Sequence, residues 1–390
     1  MKYVLVLNQF AIPRSQGGGT RHVELFSRVN GWEPTIVASS RKHDSRTIFR
    51  TDDKRFKLAW VPGYSGAGLS RMTGWAIFAV QAVVIGLTRR RVDVVYASSP
   101  QLLVPVAGAL VSTLRRVPLI VEVRDLWPES IVAAGLLRPG SRVHKLLVGL
   151  ERWIYKRADE IVVVTPGWEE HFAELGVNQE KVHVVPNGAE PSDFQVSQTR
   201  TALRLGHGVS GFTAVFAGSH GPKDGIDLVL DAAAKLPEIN FLLIGAGSSK
   251  TEAEQRAQKE KLANVEFRSA IPKSELGGLL RACDVGIHAV SPMTVFEKGM
   301  SPNKLFDYLA SELPVVSNAE NALRAIIVDG ECGYLGGPHS LSDNLRRVYE
   351  ASPEQRRAWG ETGCKVIVSR YSRSVSARRL EDILETVGPK

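Results

Sequence analysis

The sequence predicts an α/β fold made of two doubly wound units, each a parallel sheet covered by helices. Short apolar runs alternate with helical patterns along the whole chain, which is typical of this class. At 390 residues the chain is long for a single hydrophobic core, so two domains are expected. Its 44% apolar and 23% charged residues are ordinary values for a globular protein.

Seven apolar runs in the first half are predicted strands, with helical patterns between most of them. They are residues 3–7, 35–38, 58–61, 92–97, 119–122, 160–164 and 182–185. Ser99-Pro100 and Thr165-Pro166 each mark a strand end that is followed by a helix start. Ligands of such sheets bind beyond the carboxyl ends of the strands, so candidate site residues are sought there.

The first unit is predicted to stop around Pro186-Asn187-Gly188, and the polar stretch 189–201 is predicted to be a linker. Strands of a second unit are expected at 212–217, 240–244, 265–268, 285–288, 314–317 and 333–335, and the tail 353–387 has a helical pattern. We therefore expect Rossmann-like domains at 1–190 and 191–370. A final helix within 371–390 is expected to pack back on the first domain, with Asn187 as the hinge.

Cysteine usage argues against a metal or disulfide scaffold. Cys283, Cys332 and Cys364 are odd in number, far apart and form no C-x-x-C pair. A reducing compartment, the cytoplasm, is therefore expected. The apolar run at residues 1–7 is too short for a signal peptide and is better explained as a buried strand.

Positive charge is concentrated in the first part of the chain. Residues 1–157 contain 24 Lys and Arg against 10 Asp and Glu, whereas the remainder has 25 against 31. Such a basic half suits nucleic acid, an anionic membrane or an acidic substrate. No helix-turn-helix, zinc or RNA-recognition signature accompanies it, so nucleic acid is not expected as a partner.

The segment 71–91 is apolar and ends in Arg89-Arg90-Arg91. Its fourteen uncharged residues, 74–87, are too few to span a bilayer. Two interpretations remain: a core helix with a basic end, or a helix that lies at a membrane surface. Residues 102–111 would add to the same surface.

Residues 299–310 predict an anion site. Ser301 is a good N-cap and Pro302 suits the first helical position. The helix 303–310 would direct free N–H groups and its positive dipole end at an anion, and Lys304 adds a full charge. Asp307 lies one turn further, where its carboxylate could accept hydrogen bonds from sugar hydroxyls. The alternative is a capped surface helix with a Lys304–Asp307 ion pair.

Three glycine-rich turns follow predicted strands. They are Gly17-Gly18-Gly19, the segment 217–225 and Gly245-Ala246-Gly247. Glycine lets a ligand approach the backbone closely, but no turn matches G-x-G-x-x-G or the Walker pattern. Each alone indicates only a tight connection, whereas together with the Ser301 helix they indicate a nucleotide.

With these motifs the chain resembles the retaining, nucleotide-sugar-dependent glycosyltransferases of the GT-B fold, in the family typified by a Glu-x7-Glu motif. The matching segments are Gly17-Gly18-Gly19 with Arg21-His22-Val23, Pro186-Asn187-Gly188, Phe216-Ala217-Gly218, Ile244-Gly245-Ala246-Gly247, residues 282–286, and residues 304–310 followed by 313–316. They span nearly the whole chain. The run Arg124-Asp125-Leu126-Trp127-Pro128-Glu129-Ser130 is similar to that of bacterial enzymes that assemble surface polysaccharides, including amino-sugar (fucosamine-type) transferases.

The resemblance implies two domains that face each other across a cleft, the second binding the donor and the first the acceptor. The implied donor-binding residues are Gly218, Ser219, His220, Gly247, Ala270, Ile271, Ser301, Pro302, Asn303, Leu305 and Asp307. The implied acceptor-binding residues are Gly18, Gly19, Arg21, Arg124, Trp127 and Glu129. Lys304 and Lys223 would stabilise the leaving diphosphate, and Asp125 would orient the acceptor hydroxyl.

Several of these residues also have structural interpretations. Asp125 could instead pair with Arg124 or cap the following helix, and Trp127 could be a sugar platform or plain core. Histidines are more often structural than ligand-binding. Only His220 is kept as a candidate ligand-binding histidine, because it lies inside a glycine turn.

Two positions depart from the family pattern. The second Glu of the motif falls on Asp307, and the first falls on Gly299, with Glu297 the nearest carboxylate. In relatives a His often stands where this chain has Arg124-Asp125.

The expected function is transfer of a hexose or amino sugar from a nucleotide-diphosphate sugar, with UDP favoured, to a lipid-linked saccharide. The resemblance implies retention through front-side attack, with no metal and no bound cofactor besides the co-substrate. The expected place is the cytoplasm, on the inner face of an anionic membrane, and the oligomeric state is left open. Alternatives are a soluble small-molecule acceptor, a sugar-nucleotide 2-epimerase and a non-catalytic sugar-nucleotide-binding protein.

Overall fold

The computed structural model describes residues 1–14, 20–42, 47–63, 69–99, 101–133, 135–293, 299–327 and 331–389. They form two compact units, Met1–Pro186 with Ser376–Lys390, and Asn187–Val375. The first boundary thus falls at Asn187, a few residues before the predicted end of the first domain.

The first unit contains a parallel sheet of seven strands in the order β3-β2-β1-β4-β5-β6-β7. The strands are β1 (Lys2–Leu7), β2 (Trp32–Ser39), β3 (Phe56–Ala59), β4 (Val94–Ser98), β5 (Leu119–Val123), β6 (Glu160–Val163) and β7 (Val182–Val184). The helices are α1 (Arg21–Phe26), α2 (Leu69–Thr88), α3 (Leu103–Arg115), α4 (Glu129–Ala133), α5 (Arg142–Arg157) and α6 (Glu169–Glu174). Its central strands β4 and β5 are buried at every position because helices cover both faces of the sheet.

The second unit contains a parallel sheet in the order β10-β9-β8-β11-β12-β13. Its strands are β8 (Thr213–Ala217), β9 (Asn240–Ile244), β10 (Val265–Arg268), β11 (Val285–His288), β12 (Val315–Ser317) and β13 (Gly333–Leu335). Its helices are α7 (Arg200–His207), α8 (Ile226–Lys235), α9 (Lys250–Lys259), α10 (Lys273–Ala282), α11 (Asn303–Ala310), α12 (Glu320–Leu323), α13 (Leu341–Glu350) and α14 (Pro353–Val366), and α15 (Arg373–Val387) belongs to the first unit from Ser376 onward. The prediction of a two-unit parallel α/β fold is confirmed.

The stretch predicted as a linker is part of the second unit. A 3-10 turn at Pro191–Phe194 follows the boundary, and the side chains of Ala189 and Phe194 are fully buried in that unit's core. The prediction was wrong because two apolar side chains within a polar segment are enough to anchor it. At the other end of the chain, Leu380 and Leu384 of α15 pack in the core of the first unit.

In both sheets, the later strands in the sequence are added on the opposite side of the first strand from the earlier ones. In the first unit β2 and β3 lie on one side of β1, while β4 to β7 lie on the other. The second unit repeats this arrangement around β8, with β11 as the neighbour across the reversal. Ligands of such sheets bind at the strand carboxyl ends at this switch point, and the candidate site residues follow these strands.

Candidate functional site

Two glycine turns meet at the switch point of the second unit, after β8 and β9. The backbone of Gly218 has φ +152° and that of Gly245 has φ +154°, which side chains rarely adopt. A Cβ on Gly245 would lie 1.8 Å from the carbonyl oxygen of Gly218, and one on Gly247 would lie 2.3 Å from that of His220. Glycine is therefore required for the two turns to pass against each other.

The backbone N–H of Gly218 is not free for a ligand. It donates to the carbonyl of Ile244 at 2.9 Å, and the N–H of His220 donates to that of Ala246 at 3.0 Å. Gly218 was predicted to bind the donor, but its N–H does not serve a phosphate, because this group extends the β8–β9 ladder. Ser219, between these two residues, is exposed at the tip of the turn.

Lys304, in the first turn of α11, lies beneath the Gly218 turn. Its Nζ is 3.2 Å from Asp224 Oδ1 and 3.9 Å from the centre of the Phe216 ring, and its side chain is only 13% exposed. A Cβ on Gly218 would lie 3.0 Å from Lys304 Cε, so the glycine leaves room for this side chain. Burial lowers the pKa of Lys304, while Asp224 raises it and nearby Lys223 lowers it further.

Lys304 thus pairs with Asp224, which lies far away in sequence, and not with Asp307. Asp224 Oδ2 also accepts the backbone N–H of Gly221 at 3.0 Å, which fixes the carboxylate within the turn. The alternative of a local Lys304–Asp307 ion pair is wrong. Lys223 itself is exposed, and its carbonyl accepts the N–H of Ser291. The positive charge of Lys223 lies near enough to lower the pKa of Lys304, so two ammonium groups lie near this turn.

The start of α11 differs from the prediction. The residue before the first helical position is Pro302, with ψ +124°, and Asn303 begins the helix. Ser301 does not cap it, because its Oγ accepts the backbone N–H of Asn187 at 2.9 Å and its carbonyl accepts Asn187 Nδ2 at 2.7 Å. Ser301 and Asn187 therefore hold the segment in front of the helix. The first N–H groups of α11 still lack partners within the helix, as at every helix start.

The remaining predicted donor residues surround α11. Asp307 is buried, with Oδ1 3.7 Å from Lys273 Nζ at the start of α10. Ala270, which is exposed, and Ile271, which is half-buried, come just before that helix. Leu305 is fully buried in the core, so its side chain does not face a ligand. The structure thus brings Asp307 beside Lys273, which follows the predicted donor residues Ala270 and Ile271.

His220 is an interior residue, although it lies in a glycine turn. Its side chain is fully buried, with its ring 5.7 Å from that of Phe216. Burial, together with the positive charges of Lys250 and Lys304, lowers its pKa to about 4, so the ring is neutral near pH 7. The expected side-chain contact with the donor is therefore not supported, and the ring packs beneath the two turns.

Lys250 is a residue that the sequence reasoning missed. Its Nζ donates to the carbonyls of Gly245 at 3.1 Å and Arg268 at 2.8 Å, which ties together the ends of β9 and β10. The available signal was a lysine in the first turn of a helix, as at Lys304, here following the Gly245-Ala246-Gly247 turn.

Gly299 occupies the position of the first glutamate of the family motif, and its backbone has φ +122°. A glutamate would be strained in this backbone conformation, which favours glycine at the position. Glu297, Gly18 and Gly19 lie outside the described residues.

A buried carboxylate, Glu122 at the end of β5, organises the switch point of the first unit. Its two oxygens accept hydrogen bonds from Arg21 Nε at 2.8 Å, Tyr96 OH at 2.8 Å and Ser98 Oγ at 2.6 Å. One of them also lies 2.7 Å from His22 Nε2. Burial alone would raise the pKa of Glu122, but the charge of Arg21 and the contact with His22 hold it well below its usual range. From the sequence alone, Glu122 is predicted only as the last residue of a strand.

Arg21 serves this network and was misassigned to the acceptor. Its guanidinium also donates to the carbonyls of Pro186 at 2.8 Å and Val185 at 2.6 Å, and its side chain is buried. Because these groups occupy the guanidinium inside the unit, the side chain is not available at the surface. His22 is fully buried as well, with Asn8 Nδ2 2.8 Å from its Nδ1.

The segment after β5 carries the other predicted acceptor residues. The backbone N–H of Arg124 donates to Ser99 Oγ at 2.9 Å, and Asp125 is half-buried. Helix α4 begins at Glu129, so Asp125 is not its N-cap residue. Trp127 packs against the core, edge to face with Trp75 at 5.6 Å, which favours the structural interpretation of this residue.

Comparisons with known proteins agree with this architecture. Residues 27–188 match the family profile described as "Glycosyl transferase 4-like domain", and residues 204–366 match "Glycosyl transferases group 1". A relative from Pseudomonas aeruginosa, "Probable glycosyltransferase WbjE", is 24% identical over 91% of this chain and 87% of its own.

Solved structures show the same fold. HepE from Anabaena, solved in complex with UDP and glucose, superimposes with a TM-score of 0.73 at 17% identity over 98% of this chain and 99% of its own. WaaG, a glycosyltransferase involved in lipopolysaccharide biosynthesis, does so with a TM-score of 0.71 at 18% identity over 99% of this chain and all of its own. The two family profiles, met in order along the chain, and these two-unit structures lead to one conclusion: the chain belongs to the group 1 glycosyltransferases of the GT-B fold.

Proposed function

We propose that the protein transfers a hexose or amino sugar from a UDP-sugar to a lipid-linked saccharide of the cell surface, with retention of configuration. The observation that carries this proposal is the buried Lys304 ammonium, placed under the Gly218 turn at the mouth of α11 and at the switch point of the second sheet. The name of one relative supports a role in making cell-surface saccharides: a protein from Bacillus subtilis is a putative teichuronic acid biosynthesis glycosyltransferase.

In the proposed reaction the bond between the anomeric carbon and the diphosphate oxygen breaks, and a bond to the acceptor oxygen forms on the same face. The leaving diphosphate gains negative charge, which Lys304, Lys223 and the first N–H groups of α11 stabilise. One preorganised group of this kind contributes about 3–4 kcal/mol to a transition state. A diphosphate oxygen takes the acceptor proton, and Asp125 orients the acceptor hydroxyl. No step requires a metal ion.

The proposal is tested by incubating the protein with a panel of UDP-sugars, with and without a polyprenyl-diphosphate-linked saccharide. We expect acceptor-dependent release of UDP and a product whose anomeric configuration, read by NMR, equals that of the donor. An isomerised nucleotide sugar without free UDP would identify an epimerase instead. Binding without any turnover would identify a non-catalytic binding protein.

The lipid-linked acceptor is supported by an apolar surface on the first unit. Val80 and Val84 of α2 are 65% and 55% exposed, and Leu110 and Leu114 of α3, the helix that packs beside it, are also exposed. Trp60, held by Gln81 of α2 through its backbone, exposes its indole next to them. An amphipathic surface of this kind suits the interface of a membrane.

Arginines lie at one end of this surface. Arg115 Nη1 donates to the carbonyls of Gly86, Leu87 and Arg89, which joins the ends of α2 and α3. Arg90, Arg91 and Arg116 are exposed at the same end. Each such residue near an anionic lipid surface contributes about 1 kcal/mol to attraction.

Helix α2 spans residues 69–88 and therefore extends beyond the uncharged stretch 74–87. Among the described residues, Ser70–Thr88 is the one helix with the length and composition of a membrane span, with a mean hydropathy of 1.4. The prediction that this helix is too short to span a bilayer, which was made from residues 74–87 alone, is therefore wrong on the criterion of length. Its Phe78 and Ala82 nevertheless lie in the core of the first unit, as in a helix that covers a sheet.

We predict that the double variant Val80→Ser with Val84→Ser binds vesicles containing anionic lipid about tenfold more weakly. The reason is that the apolar surface of the two exposed valines is no longer transferred from water into the membrane. Flotation of the protein with liposomes measures the change. Leu205→Ser, at an 84% exposed position on α7 of the second unit, is the matched control and should bind like the parent. Equal flotation of all three proteins would contradict the membrane assignment.

A further inference from the structure

Three side chains that commonly bind metals meet in the first unit, on helices that follow β5 and β6. They are Glu129 of α4, Glu151 of α5 and His171 of α6, and one ligand atom of each lies within 4.8 Å of the others. Their positions in sequence form no spacing motif, because three separate helices supply them.

Glu151 is fully buried, and its two oxygens have different surroundings. Oε1 accepts the hydroxyl of Tyr155 at 2.9 Å and lies 3.4 Å from His171 Nε2. Oε2 is buried and has no hydrogen-bond partner within the described part of the chain. A carboxylate oxygen in this position has lost water without gaining a donor, which is costly.

Glu129 presents a second oxygen of the same kind. Its Oε2 is also buried and has no partner among the residues that the structure describes. Two carboxylates at this distance repel each other when both are charged. A bound cation would satisfy both oxygens and turn the repulsion into attraction.

We propose that Glu129, Glu151 and His171 bind one divalent transition-metal ion of the zinc or manganese class. One imidazole with two carboxylates suits these ions, whose bonds to nitrogen and oxygen are about 2.0–2.2 Å for zinc. Tyr155 orients Glu151 through the oxygen that faces it, as outer-shell partners do in metal sites. His171 Nε2 and Glu151 Oε1, 3.4 Å apart, already lie at the separation of two ligands on one ion, and a ligand atom of Glu129 lies within 4.8 Å of both residues.

The ion would join α4 to α5 and α6. Since α4 directly follows the segment with Arg124 and Asp125, the ion would position the segment that we assign to the acceptor. This consequence rests on the proposed function, whereas metal binding itself does not.

The test uses the full chain freed of metal with a chelator and then titrated with Co²⁺ and Zn²⁺. We expect a visible absorption band of protein-bound cobalt and one zinc ion per chain by equilibrium dialysis. Glu129→Gln, at a half-buried position, should weaken binding at least tenfold while the circular dichroism spectrum stays that of the parent.

His183→Gln is the matched control, since it removes the imidazole of another His–Glu pair in the same unit, 2.6 Å from Glu160 Oε2. It should bind metal like the parent. Absence of a cobalt band, or equal binding by the parent and Glu129→Gln proteins, would overturn the metal site and indicate two carboxyl groups that share a proton. Metal binding and UDP release are measured in separate experiments, so this proposal and the proposed function can fail independently of each other.

Discussion

Replacing Lys304 by methionine is expected to lower kcat about a hundred- to a thousand-fold, the loss typical of one preorganised group that stabilises developing negative charge. Methionine keeps most of the volume beneath the Gly218 turn, so the packing against Phe216 remains. What disappears is the ammonium at the mouth of α11. The measurement is the rate of UDP release from the donor sugar that turns over fastest.

Loss of Lys304 also leaves Asp224, a buried carboxylate, without its partner at 3.2 Å. A second variant, Lys304→Met with Asp224→Asn, removes that uncompensated charge and separates catalysis from stability. Lys259→Met, at the exposed end of α9, is the control for removing a surface lysine. If the folded double variant turned over like the parent, Lys304 would have no part in the reaction.

Glu122→Gln is expected to destabilise the first unit by about 3–5 kcal/mol, the usual cost of removing one partner of a buried ion pair. The change removes the buried carboxylate charge that pairs with Arg21 and alters four contacts at once. Urea unfolding at neutral pH, followed by circular dichroism, measures the loss.

The same carboxylate makes stability depend on pH. Because the pKa of Glu122 is lower in the folded than in the unfolded chain, its stabilisation is complete above the unfolded value and is lost as the pH falls through the folded one. The parent should therefore lose more stability than Glu122→Gln as the pH falls below about 4.5. Glu160→Gln, which breaks the half-exposed pair with His183, should cost less than about 1 kcal/mol. Equal losses for the two variants would contradict the central role of Glu122.

The sheets could be predicted from the sequence because a buried parallel strand leaves a local mark, a short apolar run between turn residues. The glycine turns were also visible, since positive φ at Gly218 and Gly245 restricts the residue type directly. These features depend on neighbours in sequence and need no knowledge of the fold.

The errors concern side chains whose partners are distant in sequence. Asp224 competes for Lys304, Asn187 takes the Ser301 hydroxyl, and Glu122 draws Arg21 into the interior. In each case the sequence motif was present, but the partner of the side chain was determined by a tertiary contact. Such a contact leaves no local pattern in the sequence. The same reason hid the Glu129, Glu151 and His171 cluster.

The central claim is that the second unit holds the diphosphate of a nucleotide sugar at the first turn of α11. A crystal structure of the protein with UDP tests it most directly. We predict the diphosphate within hydrogen-bonding distance of Lys304 Nζ and of the first backbone N–H groups of that helix, with the ribose hydroxyls at Asp307. A diphosphate bound elsewhere, with Lys304 still paired only to Asp224, would contradict the account.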